Sequence, residues 1–474
     1  MKQTAIQSGS SQGLSRRDFI QQSSKVVAGA ALAQAIAVRS YAAENNTIKI
    51  ALVGCGGRGT GAAENALQTS GPTQLWAVAD AFPWQAENSL KTLGAKFQKK
   101  AEVPPERRFI GLDGFKKAID SLDKGDVVLL TTPPGFRPIH LEYAVQKGVN
   151  VFMEKSFAVD APGIRRVRRA GELASQKNLK IAGGLMSRHN KPLEEAIQQI
   201  HNGALGDIIT CWAYRVHGPV GFRGREIKKK EIDHPAGPWH HKPIRTRQEA
   251  TMSEIGHQIQ NYSNYTWLNG SFIVDWLIHN IDVCCWIKNS WPESVQGMGG
   301  RQVRDEADQL FDHYGAEYSF ADGTRLFAQG RHIANCWEFF GDVIHGTKGS
   351  AVLGEGITNP RLYKGHKQTE ENQIWKYEGA PCNPYQVEHD LFFDAIRNDK
   401  PYNETERCIK TCLTAIMGRM ACESGKRITY DEALNSNREL APGLEKLTLE
   451  SKAPVEPDSK GAYPVAKPGK TEVL

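Results

Sequence analysis

Three glycines directly after an apolar strand have the spacing of a phosphate-binding turn. Gly54, Gly56 and Gly59 follow the run Ile48–Val53 and form the pattern GxGxxG. In such a turn the first glycine allows a tight bend, the second lets backbone N–H groups approach a pyrophosphate, and the third lets the following helix pack on the strand. The helix N-terminus then faces the phosphates with its positive dipole end. The pattern predicts a dinucleotide-binding Rossmann unit; the alternative is a glycine-rich loop in another α/β unit.

The carboxylate at the end of the next strand supports the dinucleotide interpretation. The run Leu75–Ala79 ends in Asp80, at the separation where a carboxylate holds a ribose hydroxyl. Ala81 and Phe82 follow, and neither is the arginine that would neutralise a 2′-phosphate. Because Asp80 would repel that phosphate, the sequence favours NAD over NADP.

A lysine stands at the end of a later strand. The strand Val149–Met153 is followed directly by Glu154, Lys155 and Ser156. A lysine in this place can donate to a substrate hydroxyl or carbonyl oxygen and stabilise charge during hydride transfer. The alternative is a surface pair of Glu154 and Lys155.

A carboxylate and a histidine lie four residues apart in the second half of the chain. The segment Asn269–Asp282 contains Asp275 and His279, which share a face if the segment is one helix, and Asp282 one turn further. Together such groups can bind a polyol and shuttle its proton. The same spacing suits a metal site, but no third ligand is recognisable, so we predict the proton shuttle and no metal. The alternative is a pair that braces the helix.

The elements that must position these residues change character along the chain. From residue 48, strands alternate with helices, which predicts right-handed crossovers and a parallel sheet with ligands at its carboxyl edge. Beyond residue 187, alternating apolar and polar residues predict an antiparallel sheet with helices. The predicted fold class is α/β, with an N-terminal doubly wound Rossmann domain over 44–187. An α+β domain for substrate binding and oligomerisation follows over 188–440, with a largely antiparallel sheet, and then a flexible or partner-bound tail over 441–474.

The first 43 residues have the pattern of an export signal. Arg16 and Arg17 precede an alanine-rich stretch, and small residues at Ser40 and Ala42 suit cleavage. This pattern predicts a twin-arginine signal peptide, the twin-arginine translocase as a partner, and a periplasmic or otherwise extracytoplasmic location. No later apolar run is long enough to span a bilayer.

Charge and cysteine usage exclude several classes of protein. The chain has a net charge of +6, of which residues 1–42 carry +4, so the remainder is nearly neutral and no nucleic-acid partner is expected. None of the nine cysteines forms a C-x-x-C pair, which excludes zinc knuckles and thioredoxin-like sites. Cys408 and Cys412 have helical spacing and are interpreted as buried packing.

Four motifs, in order, resemble the glucose–fructose oxidoreductase/inositol dehydrogenase/MocA (Gfo/Idh/MocA) family over roughly residues 47–440. They are the glycine turn, Thr132-Pro133-Pro134 with His140, the Glu154-Lys155 box, and the glycine-rich D-x-x-x-H segment. The resemblance, which extends to exported members with a twin-arginine signal, implies that Lys155, His279 and Asp275 are catalytic. Asp275, His279 and Arg188 would bind substrate. The cofactor would contact Gly54, Gly56, Gly57, Arg58, Gly59, Asp80, Thr132, Pro133, His140, Glu154 and Lys155.

The sequence departs from the family pattern at three positions. Ser156 replaces a proline, which removes a rigid turn after Lys155. Ser271 replaces a glycine. Leu277 also replaces a glycine and would crowd the site if its helix lines it.

The stretch 215–267 is long, basic and rich in aromatic residues. It includes Arg223, Trp239, Tyr265 and Trp267. We interpret it as a loop that recognises a sugar, as an oligomer contact, or as a solvated loop.

The resemblance implies an exported NAD(P)-dependent oxidoreductase that acts on a CH–OH group of a sugar, a sugar derivative or a cyclic polyol. A tightly bound cofactor, NAD rather than NADP, would suit a compartment where free NAD is scarce. The first alternative is a glycosidase that works by transient oxidation and re-reduction. The second is a ligand-binding protein without turnover. Family members commonly form homo-dimers or homo-tetramers.

Overall fold

The computed structural model describes residues 46–220, 253–354 and 359–474. The predicted signal peptide at 1–43 lies outside these residues. So do residues 221–252, which form most of the basic stretch between Arg215 and Trp267.

The first domain is built on a six-stranded sheet in the order β3-β2-β1-β4-β5-β6, in which all neighbouring strands are parallel. The strands are β1 Ile48–Val53, β2 Thr73–Asp80, β3 Arg108–Ile110, β4 Val127–Leu130, β5 Asn150–Glu154 and β6 Ile181–Gly184. Strands β2 and β3 are added on one side of β1, and β4 to β6 on the other. At this change of side, between β1 and β4, a crevice forms beyond the carboxyl ends of the strands. The predicted doubly wound Rossmann sheet is confirmed.

Helices cover both faces of this sheet. They are α1 Gly57–Gln68, α2 Pro83–Phe97, α3 Gly114–Asp120, α4 Arg137–Lys147 and α5 Ala161–Gln176. Proline in the first turn of α2, α4 and α5 sets the backbone for a helix start. Asp160 caps α5 by accepting from the Gly163 amide at 2.8 Å.

The second sheet has nine strands in the order β14-β13-β12-β11-β7-β10-β9-β8-β15. The strands are β7 Ile208–His217, β8 Ser294–Gly300, β9 His313–Ser319, β10 Arg325–His332, β11 Phe339–Gly346, β12 Gly349–Leu353, β13 Pro360–Lys364, β14 Gln373–Lys376 and β15 Ile428–Thr429. Only β7 and β10 pair in parallel among these described strands. The prediction of a largely antiparallel sheet is therefore confirmed.

Helices of the second half cover one face of this sheet and reach back to the first domain. They are α6 Lys191–His201, α7 Glu254–Gln260, α8 Thr266–Asn269, α9 Phe272–Asp275, α10 Ile278–Lys288, α11 Pro384–Arg397, α12 Thr405–Ser424 and α13 Tyr430–Asn435. Helix α10 packs on β7, α11 packs on α1, and α12 packs on α5 and β8. One apolar cluster runs through both domains without interruption. In the part of the chain that the structure describes, no helix has the length and hydropathy that a membrane span needs.

A segment from the second half completes the exposed edge of the first sheet. The Ile181 amide donates to the Tyr402 carbonyl at 2.8 Å, and the Glu404 amide donates to the Ile181 carbonyl at 3.0 Å. The Glu404 carboxylate also accepts from the Gly183 amide at 2.9 Å. Strand β6 therefore has hydrogen-bond partners on its outer side, which removes an unpaired edge.

The tail lies on the chain's own surface, whereas its lack of apolar periodicity predicts a flexible segment or an arm on a partner. The Gly469 amide donates to the Ser424 carbonyl at 2.7 Å, and Gln258 donates to the Val455 carbonyl at 2.6 Å. Single apolar side chains of the tail pack against a cluster that contains Phe82 and Trp267. Such scattered anchors have no period, and sequence analysis therefore overlooks them.

Candidate active site

The glycines of the turn have different surroundings. Gly54 has a φ of +97°, and a Cβ built on it would lie 2.7 Å from the Thr132 amide nitrogen. A Cβ on Gly59 would lie 1.9 Å from the Gly54 carbonyl oxygen. Around Gly56 and Gly57 no described atom lies within 4 Å of such a Cβ. Two glycines therefore allow the backbone to pack closely, and two border open space.

The open space lies at the start of α1. Its N-cap is Gly56, no side chain caps the helix, and its first turn contains no acidic residue. The first N–H groups of the helix therefore lack side-chain acceptors and face the open space with the positive end of the helix dipole. A pyrophosphate fits this site, and the residues present suit NAD.

Asp80 holds the turn from the neighbouring strand. Its carboxylate accepts from the Cys55 amide at 2.6 Å and from the Phe82 amide at 2.9 Å. Burial raises the pKa of Asp80, and these hydrogen bonds act in the opposite direction. The carboxylate thus lies at the turn, where the sequence places a ribose contact, and also stabilises the turn itself.

His140 lies behind Thr132 in a packed environment. Its Nδ1 is 3.1 Å from the Thr132 hydroxyl, and its ring stacks on Phe115 at 4.0 Å between centroids. Burial and the nearby charge of Arg137 lower the pKa of His140 to about 3. The ring is 4 % exposed, so it supports Thr132 from within the core.

Arg137 is a residue that sequence analysis missed. Its fully buried guanidinium donates to the carbonyls of Leu130 and Thr132, the latter at 2.6 Å, and to the Ser156 carbonyl at 3.4 Å. These bonds join the end of β4 to the turn that follows β5. In the sequence Arg137 is an ordinary first residue of a helix, and no pattern marks it as buried.

Arg58 connects the glycine turn to both domains. Its Nε lies 2.9 Å from the Glu154 carboxylate. Its guanidinium carbon lies 4.6 Å from the ring centroid of Tyr385 in α11. Arg58 and Glu154, both predicted to contact the cofactor, therefore form an ion pair at the carboxyl edge of the first sheet.

Lys155 and Asp275 come together although 120 residues separate them. The Lys155 ammonium donates to the Asp275 carboxylate at 3.0 Å and also to its carbonyl. The next residue, Ser156, also bonds to this segment: its buried hydroxyl donates to the Val274 carbonyl. The peptide bond between Lys155 and Ser156 is cis. Two adjacent residues of one domain thus hold two adjacent residues of the other.

Asp275 and His279 do not share one helix, which corrects the prediction from their spacing. Asp275 ends the short helix α9, and α10 starts at Ile278. The Leu277 amide bonds to the Phe272 carbonyl at 3.3 Å, five residues back, so the helix is interrupted between them. The Asp275 carboxylate, at the end of α9, accepts from Lys155.

His279 is a buried base near two cations. Its residue is 9 % exposed, and its Nδ1 has no hydrogen-bond partner among the described residues. Burial lowers the pKa of His279 well below its ordinary value, and the charges of Lys155 and Arg215 lower it further. The imidazole is therefore neutral at pH 7 and can accept a proton.

Arg188 pairs with Asp282 rather than joining Lys155. The guanidinium donates to both carboxylate oxygens, at 2.7 and 2.9 Å, and Thr411 donates to the same carboxylate at 2.7 Å. Burial opposes ionisation, but Arg188 holds the pKa of Asp282 below its usual range. Neither side chain contacts the pair of Lys155 and Asp275, so the assigned substrate-binding role of Arg188 stays a prediction.

Several aromatic and apolar residues that sequence analysis connects with the site belong to the core. Leu277 is fully buried and packs near Gly330 of β10. Tyr265 and Trp267 are each 1 % exposed, which leaves no ring face for a sugar.

We expect Ser156→Ala to lower kcat about tenfold, because it removes the bond to Val274 that holds the segment containing Asp275. The buried Val274 carbonyl then lacks this donor, and an unpaired buried group costs about 1–3 kcal/mol. The measurement is steady-state kinetics together with the NAD content of the protein, which should not change. Thr92→Ala removes an exposed hydroxyl bond within α2 and is the matched control. Equal kcat values for both variants would show that Ser156 does not position Asp275.

Ser271 has a φ of +88° and a ψ of 173°, a region that suits glycine. Residues with side chains in this region lose about 1–3 kcal/mol. We therefore expect Ser271→Gly to raise Tm by about 1–3 °C in a thermal melt. Asn289→Gly is the control, because asparagine tolerates its left-handed conformation, with a φ of +45°. A Tm that falls in Ser271→Gly would contradict the strain.

Comparison with known proteins places this geometry in context. Residues 48–183 match the model of the oxidoreductase family with an NAD-binding Rossmann fold, the Gfo/Idh/MocA family. Among curated proteins no significant match is found.

Solved structures of sugar and polyol dehydrogenases share the fold over both domains. Scyllo-inositol dehydrogenase from Lactobacillus casei, solved with NAD(H) and scyllo-inositol, is 19% identical with a TM-score of 0.57, and the match covers 81% of this chain and 100% of that one. Aldose–aldose oxidoreductase from Caulobacter crescentus is 17% identical with a TM-score of 0.60 at the same coverage. Levoglucosan dehydrogenase, solved with NADH and levoglucosan, is 14% identical with a TM-score of 0.60, again covering 81% and 100%.

The parallel sheet, the open glycine turn with α1 and the family match agree with one another. Residues 48–183 are thus similar to the NAD-binding domain of the Gfo/Idh/MocA oxidoreductase family and have its Rossmann fold.

Proposed function

We propose that this protein is an NAD-dependent oxidoreductase that removes hydride from a hydroxyl-bearing carbon of a sugar, a sugar derivative or a cyclic polyol. The contact between Lys155 and Asp275 carries the proposal. It joins the end of β5, which contributes a proton donor, to the end of α9, which contributes a carboxylate. The named substrates of the structural neighbours, an inositol and sugars, support the substrate class.

The chain's own residues have distinct roles in this reaction. NAD, when bound, accepts the hydride. Lys155 donates to the substrate oxygen as negative charge develops there. His279 accepts the hydroxyl proton. Its lowered pKa keeps the imidazole unprotonated at pH 7. Asp275 orients Lys155 and accepts a second substrate hydroxyl.

The test combines two measurements on the purified protein. Mass spectrometry of the denatured protein reports whether NAD co-purifies. The protein is then supplied with inositols, aldoses and anhydrosugars, and the absorbance of NADH is followed. NADH formation with any of these supports the proposal. Release of sugar from a glycoside without net NADH identifies a redox-assisted glycosidase instead, and NAD binding without either reaction contradicts an enzymatic role.

The acid limb of kcat/KM should lie below pH 6.5, because burial and the charges of Lys155 and Arg215 lower the pKa of His279 while Asp282 only partly opposes them. A group with a lowered pKa stays neutral as pH falls through 6.5, so activity should persist there. Removing one positive charge in Arg215→Gln should move the limb to higher pH, measured with a neutral substrate. A wild-type limb at or above pH 6.5 would exclude His279 as the base.

We also propose export through the twin-arginine translocase and a cofactor that stays bound through each cycle. Arg16 and Arg17 support the export, and its test is the cellular fraction of the protein before and after Arg16→Lys/Arg17→Lys.

A homo-dimer or homo-tetramer is proposed in addition, and Trp337, 64 % exposed beside the Phe339 ring on the second sheet, supports a contact there. Light scattering of wild type and Trp337→Glu tests it.

A further inference from the structure

Arg215, near the end of β7, is a charged side chain on the apolar face of the second sheet. Side chains alternate along a strand, so residues 211, 213 and 215 share one face. Cys211 and Ala213 are fully buried on this face, against which α10 packs. Alternation predicts a further small apolar residue at the next position, where the chain has Arg215. The exception lies at the end of the face that is nearest to His279.

The neighbours of Arg215 place its guanidinium beside the site. In the sheet, Arg215 pairs with Phe340 of β11 and with Gly330 of β10, which has no side chain. The guanidinium carbon lies 3.7 Å from the ring centroid of Phe340. Phe340 and His279 line the same small cavity. The charge of Arg215 lies close enough to His279 to help lower the pKa of its imidazole.

Arg215 has no anionic partner in the described parts of the chain. Its Nε is buried without a hydrogen bond, and no carboxylate of the described residues forms an ion pair with it. Burial lowers the pKa of Arg215 to about 10, so it remains charged at pH 7. A buried carboxylate on the same sheet, Asp342, accepts from Asn280 instead, and burial raises the pKa of Asp342 well above its ordinary value. A buried guanidinium without an anion is costly, so a ligand that supplies one would bind here.

We propose that Arg215 binds a carboxylate of the substrate, so that the substrate is an acidic sugar of the uronate or aldonate class. This inference rests on the proposed function and narrows its substrate class. A single guanidinium has the planar fork that matches one carboxylate. Lys155 and His279 would then contact a hydroxyl of the same molecule. A phosphate dianion needs more donors than this face offers in the described residues.

Isothermal titration calorimetry of the NAD-bound protein tests the inference. The ligands are D-glucuronate and D-galacturonate, their neutral counterparts D-glucose and D-galactose, and D-glucose 6-phosphate. We expect the uronates to bind at least about tenfold more tightly than the neutral sugars. Arg215→Gln should weaken uronate binding about 10- to 100-fold, the usual loss for a hydrogen bond to a charged group, and leave glucose unchanged. Arg215→Lys should restore part of the loss.

The control variant is Arg325→Gln, because Arg325 is an exposed arginine at the other end of the paired strand β10, 3.8 Å from Glu317. It should bind uronates like wild type. Equal binding of acidic and neutral sugars, tighter binding of glucose 6-phosphate, no uronate binding at about 10 mM, or loss of NAD from Arg215→Gln would each overturn the inference. NADH formation from neutral polyols without a preference for acidic sugars would overturn this inference but leave the proposed function standing. Uronate binding that never yields NADH contradicts the proposed function alone.

Discussion

Lys155→Ala should lower kcat about 100- to 1,000-fold, the usual effect of removing a donor to a developing oxyanion. The variant also leaves the Asp275 carboxylate, 4 % exposed, without the ammonium that it contacts at 3.0 Å. NAD should stay bound, because the glycine turn and α1 hold its phosphates. The measurements are NADH formation with the substrate identified in the panel and the NAD content by mass spectrometry.

The matched control for this prediction removes a lysine from a surface pair. Lys117 contacts Asp113 at 2.9 Å, and both side chains are more than half exposed. Lys117→Ala should therefore keep kcat within about twofold, as expected for exposed pairs. His279→Gln should lose about 100-fold or more, the usual contribution of a general base. If Lys155→Ala keeps more than a third of the wild-type kcat, its assigned role is wrong.

Gly56→Ala should lose NAD while the fold is retained. A Cβ on Gly56 meets no described atom within 4 Å, and the φ of −67° suits alanine. The added methyl group would instead occupy the space of the pyrophosphate, and overpacking of this kind costs about 1–3 kcal/mol, or roughly 5- to 150-fold in affinity. NAD content after purification and the circular dichroism spectrum provide the measurements.

Two other glycines separate cofactor binding from folding in this experiment. Gly94 in α2 also has open space at its Cβ position, so Gly94→Ala should keep both NAD and fold. Gly59→Ala should fail to fold normally, because its Cβ would lie 1.9 Å from the Gly54 carbonyl oxygen. Full NAD occupancy in Gly56→Ala would show that the cofactor lies elsewhere.

Local sequence patterns predict much of this fold. The sequence predicts helices over Pro83–Phe97, Tyr385–Arg397 and Glu404–Ser424. Helix α2 has the predicted bounds, and α11 and α12 each start within one residue of the predicted position. Apolar periodicity and proline-marked starts specify such elements locally. The alternation of strands and helices predicts the parallel pairing in the first sheet.

The site depends on contacts that no local pattern encodes. The buried bonds of Arg137 and the contact of Lys155 with Asp275 join residues far apart in the chain. The interruption between α9 and α10 overrides the four-residue spacing of Asp275 and His279, because Lys155 and Ser156 bond to the end of α9.

The segment Tyr402–Glu404, which pairs with the outer side of β6, means that the first domain depends on the second half of the chain. Because Tyr402 and Glu404 supply the outer hydrogen bonds of Ile181 and Gly183, the nucleotide-binding half is not a detachable unit. A recombinant fragment that ends after β6 would present a bare strand to other molecules and would be expected to aggregate. Chimeras with relatives would therefore have to exchange this return segment together with the first sheet, so recombination within the family must respect a junction that lies more than 200 residues downstream of the sheet it completes.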